Sequence, residues 1–334
     1  MKRLLPILVA FVLVTFLNTT YSQDKPDLKV RVGGTVQAMA STAQTNTDTS
    51  QAGVGLRRVR GRLYATLSDN IKSFVQFEMT SFKLLDARVE YIINKSAQFR
   101  VGRFIGAGVR AGGLTSHTVI DIVERPVSAQ QWGSKTIGAD FRDYGVAFLG
   151  TSNGFSYNLT LHNGNGAANI KASHKTTASI QNTSFAFSGM ASYKPADIKG
   201  LEIGGYYGVG NKTYNDYNSY NAYVYYEPGP FRFKGEYIGI NDKNGLIDVK
   251  SAGYYAFGSY KVTDNVELLA RWERYDKNTD VSNDAETYTT IGFAYSFFSS
   301  KWTATKITTA YVVRSEEGVS VDNNVFYVMF QLVF

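Results

Sequence analysis

Arg57-Arg58-Val59-Arg60-Gly61-Arg62-Leu63 is the stretch whose residue types point most directly to chemistry. Arg58, Arg60 and Arg62 recur at every second position, so in a strand they share one face, opposite Val59, Gly61 and Leu63. A row of guanidinium groups suits anions, because each keeps its charge and its planar fork matches carboxylate or phosphate oxygens. Arg88, Arg100, Arg232, Lys234 and Arg271 have the parity to join this surface from their own strands. Rings or ladders of Arg and Lys select anions and phosphates in pores. The competing reading is a mixed-charge wall, with Arg88 beside Asp86 and Glu90 and Arg232 near Glu236. Such a wall orders water without strong selectivity.

A second basic set lies in the longest connection, Phe104 to Arg142, which carries Arg110, Arg125, Lys135 and Arg142. Loops beyond ~12–15 residues are usually functional or disordered. Apolar anchors at Val119-Ile120-Asp121-Ile122-Val123 and Trp132 predict that this one folds inward and narrows a lumen with positive charge. The alternative is an external loop packed on itself.

Other chemistries find little support. The absence of cysteine excludes disulfides, a lipid-modified cysteine and thiolate metal sites. His117, His162 and His174 are the only histidines, and none has the partners of a catalytic triad or a helical metal motif. Each is expected to be a solvated loop residue. Asn163-Gly164-Asn165-Gly166 lacks the Lys-Ser/Thr of a phosphate loop and reads as turn chemistry. Acidic groups such as Glu316-Glu317 and Asp280, Asp284 and Glu286 read as a hydrated loop rim. No cofactor and no metal site is implied.

The elements that must carry these groups are strands. Alternation places them near 29–39, 54–67, 71–80, 84–93, 96–103, 143–151, 154–163, 182–193, 199–211, 217–227, 230–240, 248–261, 265–276, 286–297, 302–314 and 323–334, with no convincing helix. In Phe231-Arg232-Phe233-Lys234-Gly235-Glu236-Tyr237 the aromatics take one face and the charges the other. Leu85-Asp86-Ala87-Arg88-Val89-Glu90-Tyr91 repeats the pattern. Short turns, such as Asn94-Lys95 and Thr263-Asp264, alternate with longer loops along the chain. The closing strand puts Phe326, Val328, Phe330, Leu332 and Phe334 on one apolar face, resembling the C-terminal signal of bacterial outer-membrane proteins. Lipid covers such a face in a transmembrane barrel, whereas a soluble sandwich needs a second apolar layer. The predicted fold is therefore all-β: a transmembrane antiparallel β-barrel of about sixteen strands with an inward-folded constriction loop.

Export is expected as well. Lys2 and Arg3, the apolar run Leu4 to Leu17, and the small residues Thr20 and Ser22 make residues 1–22 a secretory signal peptide. Residues 23–334 would then form one outer-membrane domain. Without Lys2 and Arg3 the chain holds 33 Lys+Arg against 28 Asp+Glu, a net +5 that favours anionic partners. Nucleic acid is excluded as a partner by export and by the absence of any nucleic-acid motif.

Five landmarks in order then carry a family resemblance: Arg57 to Leu63, Leu84 to Tyr91, Phe99-Arg100-Val101-Gly102-Arg103-Phe104, Asp121-Ile122-Val123-Glu124-Arg125-Pro126, and Arg142-Asp143-Tyr144-Gly145-Val146. They resemble the phosphate-selective porin O and P family of Gram-negative outer membranes. That resemblance implies a sixteen-stranded barrel, a homotrimer, and passage of small anions including phosphate. It further implies that Arg58, Arg60 and Arg62 serve as pore arginines, with Lys135 the candidate for a constriction lysine. The partners expected are small anionic solutes, outer-membrane lipid and lipopolysaccharide, and the barrel-assembly machinery through the strand ending at Phe334. The functional expectation is passive diffusion. An outer-membrane barrel hydrolase and a structural or adhesin barrel are the alternatives.

Overall fold

The computed structural model describes residues 28–45, 51–164, 185–212, 215–244 and 247–334, so the predicted signal peptide and His174 lie outside the described residues. Sixteen antiparallel strands close into a barrel in which every strand pairs with its neighbours in sequence, and β1 closes on β16. The first wall is β1 (Lys29–Ala43), β2 (Gln51–Thr66), β3 (Ile71–Glu78), β4 (Lys83–Asn94) and β5 (Ala97–Phe104). Next come β6 (Asp143–Ser152), β7 (Phe155–His162), β8 (Ala186–Tyr193), β9 (Leu201–Lys212), β10 (Asn215–Tyr226) and β11 (Phe231–Asn244). The circle ends with β12 (Ile247–Thr263), β13 (Val266–Asp276), β14 (Glu286–Ser296), β15 (Thr305–Glu316) and β16 (Val325–Val333).

Alternation decides which side chains meet lipid. On β11, Phe231, Phe233 and Tyr237 are exposed on the outer face, while Glu236 is buried within. On β16, Phe326, Phe330 and Leu332 face outward as the sequence pattern predicts, and Phe334 just past its end is exposed too. Near the short turns, Phe155, Tyr193, Tyr226, Phe231, Tyr260, Phe297 and Phe334 give the outer face an aromatic rim, the girdle expected at a membrane interface. The seam is held by reciprocal backbone bonds, Gly34 N to Phe334 O at 2.8 Å and Phe334 N to Gly34 O at 3.1 Å.

Two local departures from the sequence expectation matter for the lumen. Val127–Lys135 forms a helix, α1, where no helix was expected. It buries Ala129, Trp132 and Gly133, and Thr136 caps its end by donating Oγ1–H to the Trp132 carbonyl at 2.5 Å. Nine residues with a glycine among them carry too weak a period to announce a helix. The predicted strand at 302–314 starts at Thr305 instead, because Ser299–Lys301 coil into a 3-10 turn that uses up the preceding residues.

Gly102 is the other special position. Its φ is +123°, and a Cβ there would lie 2.1 Å from the Ala87 carbonyl oxygen. Past it, the consecutive residues Arg103 and Phe104 are both buried, delivering the chain into the inward loop. Gly102→Ala is expected to destabilise the barrel by at least about 2 kcal/mol, from backbone strain plus a backbone clash that no rotamer relieves. Urea unfolding in lipid vesicles, followed by tryptophan fluorescence, measures this. An unchanged midpoint would show that the β4–β5 pairing yields cheaply.

Candidate functional site

Residues 105–142 lie inside the barrel, as the apolar anchors predict. Their core packs on the inner wall of the second half: Val109, Ile122, Val123, Trp132, Ile137 and Phe141 cluster with Tyr206, Ile238, Ile240, Tyr255, Phe257 and Leu269. Trp132 is 1 % exposed, meets Tyr206 edge-on at 5.4 Å, and donates its indole N–H to Ser219 Oγ at 3.1 Å. Polar ties then fasten the loop around the circumference. Gln37 and Gln331 each donate to a loop carbonyl, His117 and Thr118 respectively, at 3.1 Å. Glu236 accepts the Arg110 and Ala111 N–H groups at 2.7 and 2.9 Å, and Glu273 accepts the Val127 N–H at 2.7 Å. A loop carrying this many buried ties is a fixed partition of the lumen.

Among the described residues the partition bounds two chambers of about 450 Å³ each, and Thr115 lines both. One lies between the loop and the wall of β2 to β4. Seven arginines line it (Arg57, Arg58, Arg60, Arg62, Arg88, Arg125 and Arg142), against the carboxylates Asp86, Glu124 and Asp140. The other lies toward the short turns, since Lys194, Pro195 and Ile198 after β8 and Trp302 and Thr303 before β15 line it.

The twelve basic residues expected from sequence therefore divide among different places. Arg58, Arg60, Arg62, Arg88, Arg125 and Arg142 line the arginine chamber, while Arg110, Arg232 and Lys234 line the short-turn chamber. Arg100, Lys135 and Arg271 line neither: Arg100 pairs with Glu90 at 2.8 Å, Lys135 Nζ donates to Ser251 at 2.9 Å, and Arg271 holds Glu273 and the Glu124 carbonyl. One continuous ladder is thus corrected to a chamber beside β2 and a second group beyond the loop. The cause is the loop itself, whose inward path strand parity does not encode.

Pairing within the arginine chamber is uneven. Arg60 meets Glu78 at 2.9 Å, Arg142 meets Asp86 at 2.9 Å, and Arg88 meets Glu90 at 2.8 Å. Arg58 donates to Gln37 Oε1 at 2.9 Å and lies 3.6 Å from Glu124. Arg62 donates to the Gly34 carbonyl and Thr35 Oγ1, with no carboxylate partner among the described residues. Arg125 is spent on the Ala111, Gly112 and Thr115 carbonyls at 2.5–2.7 Å, so it knots the loop more than it faces a solute.

Two loop groups register the field that results. Burial, then Arg60, Arg58, Arg62 and Arg142, push the His117 imidazole down to about 2, so it stays neutral. Burial, then Arg58, Arg60 and Arg142, push the Arg125 guanidinium down to about 9. Both shifts follow from concentrated positive charge in a partly desolvated space. His117 is 6 % exposed, and its Nε2 has no hydrogen-bond partner among the described residues. His162 is 4 % exposed and bonded to Asp143 at 3.0 Å. The expectation of solvated loop histidines is overturned for both, because the inward loop and its base bury them.

Sequence parity also misses Arg57. Gln37 pairs with Arg58 but Ala38 with Leu56, so Arg57 is the extra residue of a β-bulge. Its side chain turns to the lumen and meets Glu124 with both guanidinium arms, Nη2 to Oε2 at 2.9 Å. Lys306 is missed too, although its parity with Thr308 and Ala310 on β15 marks it as inward-facing.

Residues 10–316 match a family model described as Gram-negative porin. Among solved structures, the chain is similar to the anion-selective porin from Comamonas acidovorans, with TM-score 0.69, 15 % identity, and 92 % of this chain and 100 % of that one covered. It is similar to Salmonella typhi OmpF in complex with daunomycin, with TM-score 0.65, 12 % identity, and 94 % and 99 % covered. Vibrio cholerae OmpT in its trimer form gives TM-score 0.58, 13 % identity, and 92 % and 99 % covered. No curated protein sequence matches. At these identities the structural likeness speaks for the fold.

Proposed function

The chain belongs to the Gram-negative porin family, and on that premise we propose that this outer-membrane passive diffusion channel prefers anions and admits phosphate through its arginine chamber. The observation that carries the reading is the charge of that chamber, seven arginines against three carboxylates. Solute moves down its gradient and no bond is made or broken. The guanidinium forks of Arg58, Arg60 and Arg62 supply exchangeable oxyanion contacts, and the neutral His117 adds an uncharged polar edge. The trimer form of Vibrio cholerae OmpT supports a homotrimer as the working assembly. In this reading residues 1–22 are removed on export and 23–334 form the barrel domain. Lipopolysaccharide surrounds its outer rim, and the assembly machinery engages the strand ending at Phe334.

Planar-bilayer recording in asymmetric KCl tests the proposal. The reversal potential is expected to take the anion sign, and added phosphate to reduce the chloride current. A cation-signed reversal potential overturns the anion preference. Chloride current that phosphate leaves untouched overturns the phosphate part alone.

A further inference from the structure

We propose that the short-turn chamber is a second solute site, suited to an organic monocarboxylate with an apolar body rather than to bare phosphate. It rests on the pore reading for the ligand's route in, though not for its binding. The starting observation is Lys306. Its side chain is 4 % exposed, and it lines a chamber of about 450 Å³, within the ~300–1,000 Å³ of small-molecule sites. An ammonium has three donors, yet Lys306 Nζ makes one long hydrogen bond, 3.5 Å to the Ile120 carbonyl, and no ion pair among the described residues. Asp121 and Glu267 attract it from a distance but are paired with Arg232 and Lys234, so a bound carboxylate gives the buried ammonium the direct partner it lacks.

The neighbouring cations are already engaged. Arg232 Nη1 and Lys234 Nζ each lie 2.7 Å from the same Asp121 oxygen, and Arg232 also holds Glu267 at 2.7 Å. Five cationic and four anionic side chains line the chamber, a net +1. One negative charge balances it. A phosphate dianion would overshoot and face Asp121, Glu202, Glu227 and Glu267 across a small space. Apolar side chains, Val119, Ile198, Leu201 and Trp302 among them, line the chamber beside these charges and the hydroxyls of Thr115, Tyr225 and Thr303. Lys261 Nζ lies 5.0 Å from the centre of the Trp302 ring and helps fix it. A single carboxylate on Lys306 with an aromatic or aliphatic body against Trp302 and Leu201 uses both features.

Isothermal titration of benzoate into the folded, detergent-solubilised full-length barrel tests this, with inorganic phosphate titrated in parallel. Benzoate is expected to bind, with affinity reduced about tenfold or more in Lys306→Met, the loss of one charge-assisted contact. The same variant should leave phosphate binding unaltered. Trp302→Ala reports on the apolar wall and should weaken benzoate several-fold. Heat-modifiable gel mobility confirms folding, and Lys306→Gln serves if Lys306→Met does not fold. No benzoate heat, or heat that survives in Lys306→Met but disappears when Arg58, Arg60 and Arg62 are glutamine, overturns the proposal. Bilayer recording separates the two readings: current without benzoate binding sinks this site alone, and benzoate binding without current sinks the pore.

Discussion

Replacing Arg58, Arg60 and Arg62 together by glutamine is expected to lower the chloride-over-potassium permeability ratio by about tenfold. The three exchanges remove three of the seven arginine charges that line the chamber with three carboxylates, and they leave Glu78 without its Arg60 partner. A unit charge ~8 Å from a permeant ion in a water-like dielectric is worth about 0.5 kcal/mol, so three together shift an ion by about 1.5 kcal/mol. Anions lose this and cations gain it, and screening by salt trims both. Glutamine keeps hydrogen-bonding capacity where Arg58 meets Gln37 and Arg62 meets Thr35, so the wall should persist. The single exchanges should differ. Arg62 has no carboxylate partner among the described residues, so Arg62→Gln removes charge without exposing a new one. Arg60→Gln additionally frees Glu78, now 2.9 Å away, and should be the more damaging to selectivity. Reversal potentials at fixed salt gradients read all four variants. A ratio unchanged in the triple variant would sink the assignment of selectivity to this wall.

Period-2 alternation made nearly all of the barrel legible, because a strand with lipid on one side and water on the other cannot hide which face is which. Phe231 to Tyr237 and Phe326 to Phe334 declare both faces residue by residue. Alternation fails where the register breaks. Arg57 sits in a bulge, and its turn to the lumen depends on how Gln37 and Ala38 pair with β2, information that lies in the partner strand. Phe104 to Arg142 is the other gap. Its apolar anchors foretold an inward fold, yet its path was set by long-range ties such as Glu236 to Arg110 and Gln37 to His117. Whether a basic residue faces a solute or a carbonyl follows from that path. Arg125 therefore reads from sequence as a constriction charge and serves in the structure as a knot. The split of the basic residues into two chambers has the same origin.

Glu236→Leu is expected to loosen the loop while leaving the barrel folded, raising single-channel conductance and open-channel noise. Glu236 is 3 % exposed on β11 and accepts from two loop amides, Arg110 N at 2.7 Å and Ala111 N at 2.9 Å. Asn221 Nδ2 donates to the same carboxylate, and Tyr255 OH does so at 3.3 Å. Leucine fills similar space and offers no acceptor, so the buried Ala111 N–H loses its partner at about 1–3 kcal/mol and the part-buried Arg110 N–H at less. The backbone ladders of β11 with β10 and β12 do not involve that carboxylate, so closure of the barrel is unaffected. Strain falls on the loop, where the segment just after Arg110 and Ala111 includes Gly113, Leu114 and Thr115 of the arginine chamber wall. Glu236→Gln keeps one acceptor oxygen and should fall between the parent and Glu236→Leu. Conductance histograms, with protease sensitivity of the loop as a second readout, measure the effect. Conductance and noise equal to the parent in a folded Glu236→Leu barrel would mean that Trp132 and the surrounding apolar cluster hold the loop without this tie.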